Sequence, residues 1–226
     1  MDDARFDRMG WIGGPIFVAL GLIATFLPGR PPDVDAPAPE IVAFYADNDS
    51  SIQLASWLGL IGAVFIAIWF CSLWRAMVDA EGGTSRLSVV ALVGLVLAGA
   101  SVFTWRSLNA ATAMNVDSIG GATEFFYGLV VVLQAASAIG LAILLLAVSI
   151  LALRSPGFLP EWLAWVGLVV TAALAVASVA VMSDSASWST VGLVAVLGWF
   201  VWILAVSAFR YHAQAPSARA SATSPI

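Results

Sequence analysis

Residues 125–153 read FFYGLVVVLQAASAIGLAILLLAVSILAL, 29 in succession without an acidic, basic or histidine side chain. About 20 apolar residues, each rising 1.5 Å along a helix, cover a hydrocarbon layer of about 30 Å. The run is therefore long enough to cross a bilayer. It does not alternate apolar with polar residues, as a barrel strand of about 10 residues would. Five further charge-free runs occupy 9–29, 50–74, 87–105, 162–183 and 185–209, none shorter than 19 residues. Taken with 125–153, they predict an all-α membrane protein folded as a six-transmembrane-helix bundle.

Composition agrees with that reading. Of 226 residues, 61% are hydrophobic and 10% charged, and the mean hydropathy is +0.97. Soluble domains carry about 45–50% apolar and about 25% charged residues, so a water-soluble fold is excluded. A single cysteine excludes a disulfide scaffold, and a net charge of -5 with no lysine argues against a nucleic-acid partner.

All nine basic residues are arginines. With six crossings, Arg5, Arg8, Arg75, Arg86, Arg154, Arg210 and Arg219 fall on one side, and Arg30 and Arg106 on the other. The positive-inside rule then places both termini in the cytoplasm. The outer side also holds Asp33, Asp35, Glu40, Asp47, Asp49, Asp117, Glu124 and Asp184, which makes it acidic. Exclusive use of arginine beside abundant alanine points to a bacterial chain, hence to the inner (plasma) membrane. The N-terminal segment is as acidic as it is basic, and the run after it is longer than a signal peptide's apolar core of about 7–15 residues, so a retained helix is expected. The organisation predicted is a cytoplasmic segment at 1–9, a membrane domain at 10–210 and a disordered cytoplasmic tail at 211–226.

Trp11, Trp74, Trp162 and Trp165 fall at predicted inner ends, and Trp57, Trp105 and Trp188 near outer ends, as an interfacial aromatic belt requires. Trp199 and Trp202 lie deep in the last run and are assigned to helix packing. In the first outer loop, Pro39 and Glu40 suit a first helical turn, and Ile41, Val42, Phe44 and Tyr45 gather on one side. A short amphipathic helix is expected there, followed by a capping box from Ser50 and Gln53 at the next span. The loop at 107–123 reads as small and polar, with Gly120 and Gly121 as its turn.

The usual tools of catalysis are absent from the runs. His212 is the one histidine and Cys71 the one cysteine, no metalloprotease, nucleophile-elbow or phosphate-loop motif occurs, and no lysine can form a Schiff base. No catalytic residue, metal site or cofactor is expected. Polar groups gather toward the outer half: Arg106, Glu124 and Asp184 at span ends, with Gln134 and Ser137 deeper in the fourth run. They form a candidate vestibule in which Arg106 pairs with Glu124 or Asp184 above Gln134. The plainer reading makes the three charges markers of the hydrocarbon boundary.

Small residues recur at four-residue spacing: Gly10 with Gly14, Gly59 with Ala63, Gly94 with Ala98, Ala136 with Gly140, and Gly167 with Thr171. In lipid, where burying leucine gains little, such spacing lets helix backbones approach. Intramolecular packing uses it first, and any surface left over is open to a partner or a second copy.

The basic turn and the opening of the fifth run, RSPGFLPEWLAWVGLVV at 154–170, carry Leu159, Pro160, Trp162, Leu163 and Gly167 in order. This segment resembles a pattern found in small uncharacterised bacterial six-helix integral membrane proteins. The resemblance implies a helix bundle and carries no catalytic residue with it. The function expected is that of a non-enzymatic accessory or scaffold subunit, contacting membrane lipids and either itself or a membrane-protein partner. The main alternative is a small transporter or channel opening at the outer vestibule, and the third is a lipid-modifying enzyme.

Overall fold

The computed structural model describes residues 3–33, 35–83, 85–180 and 187–213, and all regular elements among them are helices. In chain order they are α1 (Asp3–Phe26), α2 (Ala38–Asp47), α3 (Asp49–Ala80), α4 (Arg86–Ile119), α5 (Thr123–Arg154), α6 (Glu161–Ala180) and α7 (Ser187–Ala213). A 3-10 turn at Gly120–Ala122 joins α4 to α5. Five described stretches are apolar and long enough to cross a membrane: Met9–Phe26, Asp49–Ala80, Arg86–Arg154, Glu161–Val179 and Thr190–Ala213. The third of these contains both α4 and α5. The described residues are thus predominantly helical, and several helices have the length and apolarity of a multi-pass membrane protein.

The long helices pack in chain order around a ring: α1 on α3, then α4, α5, α6 and α7, with α7 returning to α1. Neighbours run antiparallel. Gly10 faces Ser72 while Gly62 faces Phe17, and Gly14 faces Ser207 while Gly21 faces Phe200. The described ends of α1 and α7 therefore lie together.

Glycine sets the closest approaches. A Cβ on Gly140 would stand 2.5 Å from the backbone nitrogen of Ala98, and one on Gly94 would stand 2.6 Å from that of Leu144. Gly13 similarly leaves 2.6 Å to the carbonyl oxygen of Phe65. Backbone atoms cannot step aside as a flexible side chain can, so these positions admit only glycine. Gly167 makes room for Ser149 and Trp202 at the contact of α6 with α5 and α7. In α3, Gly62 meets α1, Ala63 is half-buried, and Gly59 serves as a notch for a side chain of α4.

Within the ring the largest buried groups are indoles. Trp69 packs edge-on against Trp11, Trp199 and Trp202, and the last two stack with their planes 18° apart. An indole N–H needs an acceptor when dry. Trp69 donates to the Ser207 hydroxyl at 2.8 Å, and Trp202 to the Leu163 carbonyl at 3.1 Å. Packing is thus what Trp199 and Trp202 do. Trp11 departs from the aromatic belt: α1 is already helical from Asp3, and this turns Trp11 onto Trp69, leaving 1% of it exposed.

A second, smaller core lies at the α2 end. Ile41 and Tyr45 of α2 are buried on Ile52 of α3, Ala113 and Val116 of α4, and Tyr127 and Val131 of α5. The Tyr45 hydroxyl donates to Asn109 Oδ1 at 2.6 Å, and that of Tyr127 to the Pro32 carbonyl at 2.5 Å. Burial, and after it the neighbouring Tyr127, pushes the Tyr45 phenol well above its ordinary pKa, so it remains a donor.

Three expectations need correction. Most of 107–123 is helix, because α4 continues through Arg106 as far as Ile119. Its added turns bury Ala113 and Val116 under α2, Thr112 is buried as well, and Thr112, Asn115 and Ser118 bond carbonyls of their own helix. Gly120, at φ 46°, then ends it. The Ser50–Gln53 capping box does not form: α2 runs almost directly into α3, with Asn48 as C-cap of one and N-cap of the other. Residues 211–213, assigned to the tail, continue α7, while 214–226 lie outside the described residues.

Substitution tests the backbone contacts. Gly140→Val overpacks a site lined by main chain, at an expected cost of about 1–3 kcal/mol. It should lower the unfolding temperature in detergent, whereas Gly128→Ala, with no neighbouring atom within 4 Å of the added carbon, should not lower it.

Candidate functional site

The structure brings only part of the predicted vestibule together. Arg106 is half-buried against α3: its Nη1 donates to the Ala55 carbonyl at 2.9 Å, and the Gly59 notch admits its shaft. A Cβ on Gly59 would stand 2.6 Å from Arg106 Nε, so any larger residue there would displace the guanidinium. The guanidinium carbon lies 4.3 Å from the centre of the Trp105 ring, a cation–π distance. Arg106 Nε and Trp105 Nε1 are both enclosed and have no hydrogen-bond acceptor.

The remaining members are placed apart from this contact. Glu124 is exposed in the first turn of α5 and, among the described residues, forms no ion pair with Arg106. Gln134 is exposed on the outside of α5, so it cannot floor a vestibule. Ser137 is buried and donates to the Gln134 carbonyl at 2.6 Å, a bond within its own helix. Asp184 lies outside the described residues. Arg106 bonds a main-chain carbonyl, a partner that leaves no opposite charge in the sequence. The glycine four residues beyond Ala55 is the one trace of it.

At the other end of the ring, Glu81 organises the α3–α4 connection. Its carboxylate accepts from the backbone N–H groups of Leu87, at 2.7 Å, and Ser88, at 3.0 Å, and from the Ser88 hydroxyl. The first turn of α4 thereby gains an anionic acceptor for its unpaired donors. Gly82 and Gly83, at φ 62° and 96°, supply the tight return that brings the carboxylate there. A shallow groove of about 450 Å³ at this same end is lined by Ala152, Pro156, Leu159, Glu161 and Phe209 and gathers no set of convergent polar groups.

We found no match to this chain among protein families, curated proteins or solved structures. The residues themselves therefore carry the functional argument.

Glu81 gives the chain a pH dependence of known sign. Burial pushes its carboxyl up, but the Ser88 hydroxyl and the N–H groups of Leu87, Ser88 and Arg86 outweigh burial and hold it below the ordinary carboxylate range. A depressed folded-state pKa stabilises fully above the unfolded value, and that contribution is lost as pH falls through the folded one. Unfolding temperatures measured between pH 7 and pH 3 should fall less steeply for Glu81→Gln than for the native chain.

Proposed function

We propose that the chain is a six-crossing protein of the bacterial inner membrane, with both termini in the cytoplasm, acting as a non-enzymatic accessory or scaffold subunit. The arginines supply the frame. Arg75, Arg86, Arg154 and Arg210 mark the cytoplasmic boundary, and Ala55, Arg106, Gln134 and Thr190 each lie 20 residues along the helix from one of them. At 1.5 Å per residue that is about 30 Å, one hydrocarbon thickness. The contact between Arg106 and Ala55 puts α3 and α4 in register at this level.

One observation carries the reading. Beyond that level α5 continues for more than two turns, and Phe125, Leu129 and Val132 stand exposed there at helical spacing, Phe125 to 69%. Met114 of α4 is also exposed, to 67%. Apolar side chains outside lipid that are left open to water mark a surface for another protein. The sealed indole core inside the ring supports a structural role over transport, since no described charged side chain is fully buried in it. The partner-facing surface proposed is this protruding stripe. The predicted small-residue faces at Gly10, Gly14, Gly94, Ala98, Gly140 and Gly167 are occupied by contacts within the chain.

Native mass spectrometry of the full chain in mild detergent tests the proposal. A dimer or a stoichiometric companion is expected, and Phe125→Ser with Leu129→Ser should weaken the association without changing helix content. A monomer without a companion, coupled with ion flux in liposomes that falls in Glu124→Ala, would favour the transporter.

A further inference from the structure

The unsatisfied donors of the Arg106 notch point to a ligand. A guanidinium offers five N–H donors and cannot deprotonate in a protein. Here one nitrogen bonds a carbonyl, Nε is enclosed without an acceptor, and no described carboxylate pairs with the group. Trp105, over which the guanidinium lies, holds a second enclosed donor with no acceptor. A cation at the edge of hydrocarbon without a counter-charge is costly, and two dry donors beside it add to that cost. An acceptor-rich anion at the guanidinium's open edge would supply the counter-charge, and a small shift of the Arg106 and Trp105 side chains would bring their enclosed donors within its reach.

Depth identifies its chemistry. The notch lies about 30 Å from the arginine boundary at Arg86, reckoned at 1.5 Å per residue, which is where lipid phosphates stand. Trp57, 62% exposed on α3, is close in sequence to Ala55 and Gly59 and lies at the same level, as interfacial indoles do. The forked guanidinium matches a phosphate diester in shape as well as in charge. We propose that Arg106 and Trp105 form a binding site for a phosphate group in the outer leaflet. Its occupant is the headgroup phosphate of a lipid, or free phosphate arriving from the water side. The proposal rests on the orientation and bilayer frame proposed above, and it holds whether or not the protein is an accessory subunit.

The experiment is a titration of the full-length protein in detergent, read by native mass spectrometry and by tryptophan fluorescence. Its arms are phosphatidylglycerol, phosphatidylcholine and inorganic phosphate. The native chain should retain phosphatidylglycerol, and Arg106→Gln should bind it about tenfold more weakly, the loss of one charge-assisted contact. Arg106→Lys should recover part of the difference, because it restores the charge and not the fork. Equal affinity for both lipids, lost in Arg106→Gln, identifies the phosphate itself as the determinant. Saturation by inorganic phosphate alone, lost in the same variant, identifies the free anion. A folded Arg106→Gln that binds every probe as the native chain does would overturn the site. Should that variant fail to fold, Trp105→Phe keeps the ring and removes one donor: weaker binding upholds the proposal and unchanged binding overturns it.

Discussion

A hydrocarbon layer about 30 Å thick takes up about 20 residues of helix, and this chain contains helices of 32, 34 and 32 residues in α3, α4 and α5. The surplus has to go somewhere. Tilt absorbs some excess in many membrane helices, but in the register proposed above most of the surplus of α4 and α5 and part of that of α3 extend at one end, where α2 packs on one side of it. The molecule thus has two cores of different character. One is a ring interior filled with indoles, and the other is a small cap whose buried tyrosines bond Asn109 and the Pro32 carbonyl. Arg106 sits at the seam between them.

Inside the ring, the forces differ from those of a soluble core. Lipid tails are as apolar as leucine, so helices gain little by exchanging one for the other, and dispersion between close backbones has to supply the difference. The pairing of Gly94 and Ala98 with Gly140 brings α4 and α5 to distances that a single extra carbon would violate. Trp69 adds specificity through its position between α1 and α7 and its bond to Ser207. A dry indole donor with one correct acceptor selects one arrangement from many of similar packing.

Much of this was legible in the residues. α3, α4 and α5 each enclose an uncharged run and α1, α6 and α7 each cover most of one, α2 begins beside Pro39 and Glu40, and the small-residue pairs of the fourth and third runs do meet. What escaped had physical reasons. Counting from charge to charge ends the third run at Trp105, yet helix formation depends on propensity and burial, and the alanines past Arg106 satisfy both. Depth along the run marks Gln134 as interior, although its exposure is set by the angular packing of α5. Arg106 found a backbone oxygen, and main-chain acceptors leave no mark in composition. Position along the chain points Trp11 to the interface, yet the helix extends past it and the indole packs on Trp69.

The account depends most on where the lipid ends. Spin labels placed in a cysteine-free background at Val96, Ile139, Met114 and Phe125 would report it through collision with oxygen, which concentrates in lipid, and with a water-soluble nickel complex. All four native side chains are exposed. The labels at Val96 and Ile139 should be relaxed mainly by oxygen, and those at Met114 and Phe125 mainly by nickel. A Phe125 label as oxygen-accessible as the one at Ile139 would place the apolar stripe in the bilayer and contradict the account.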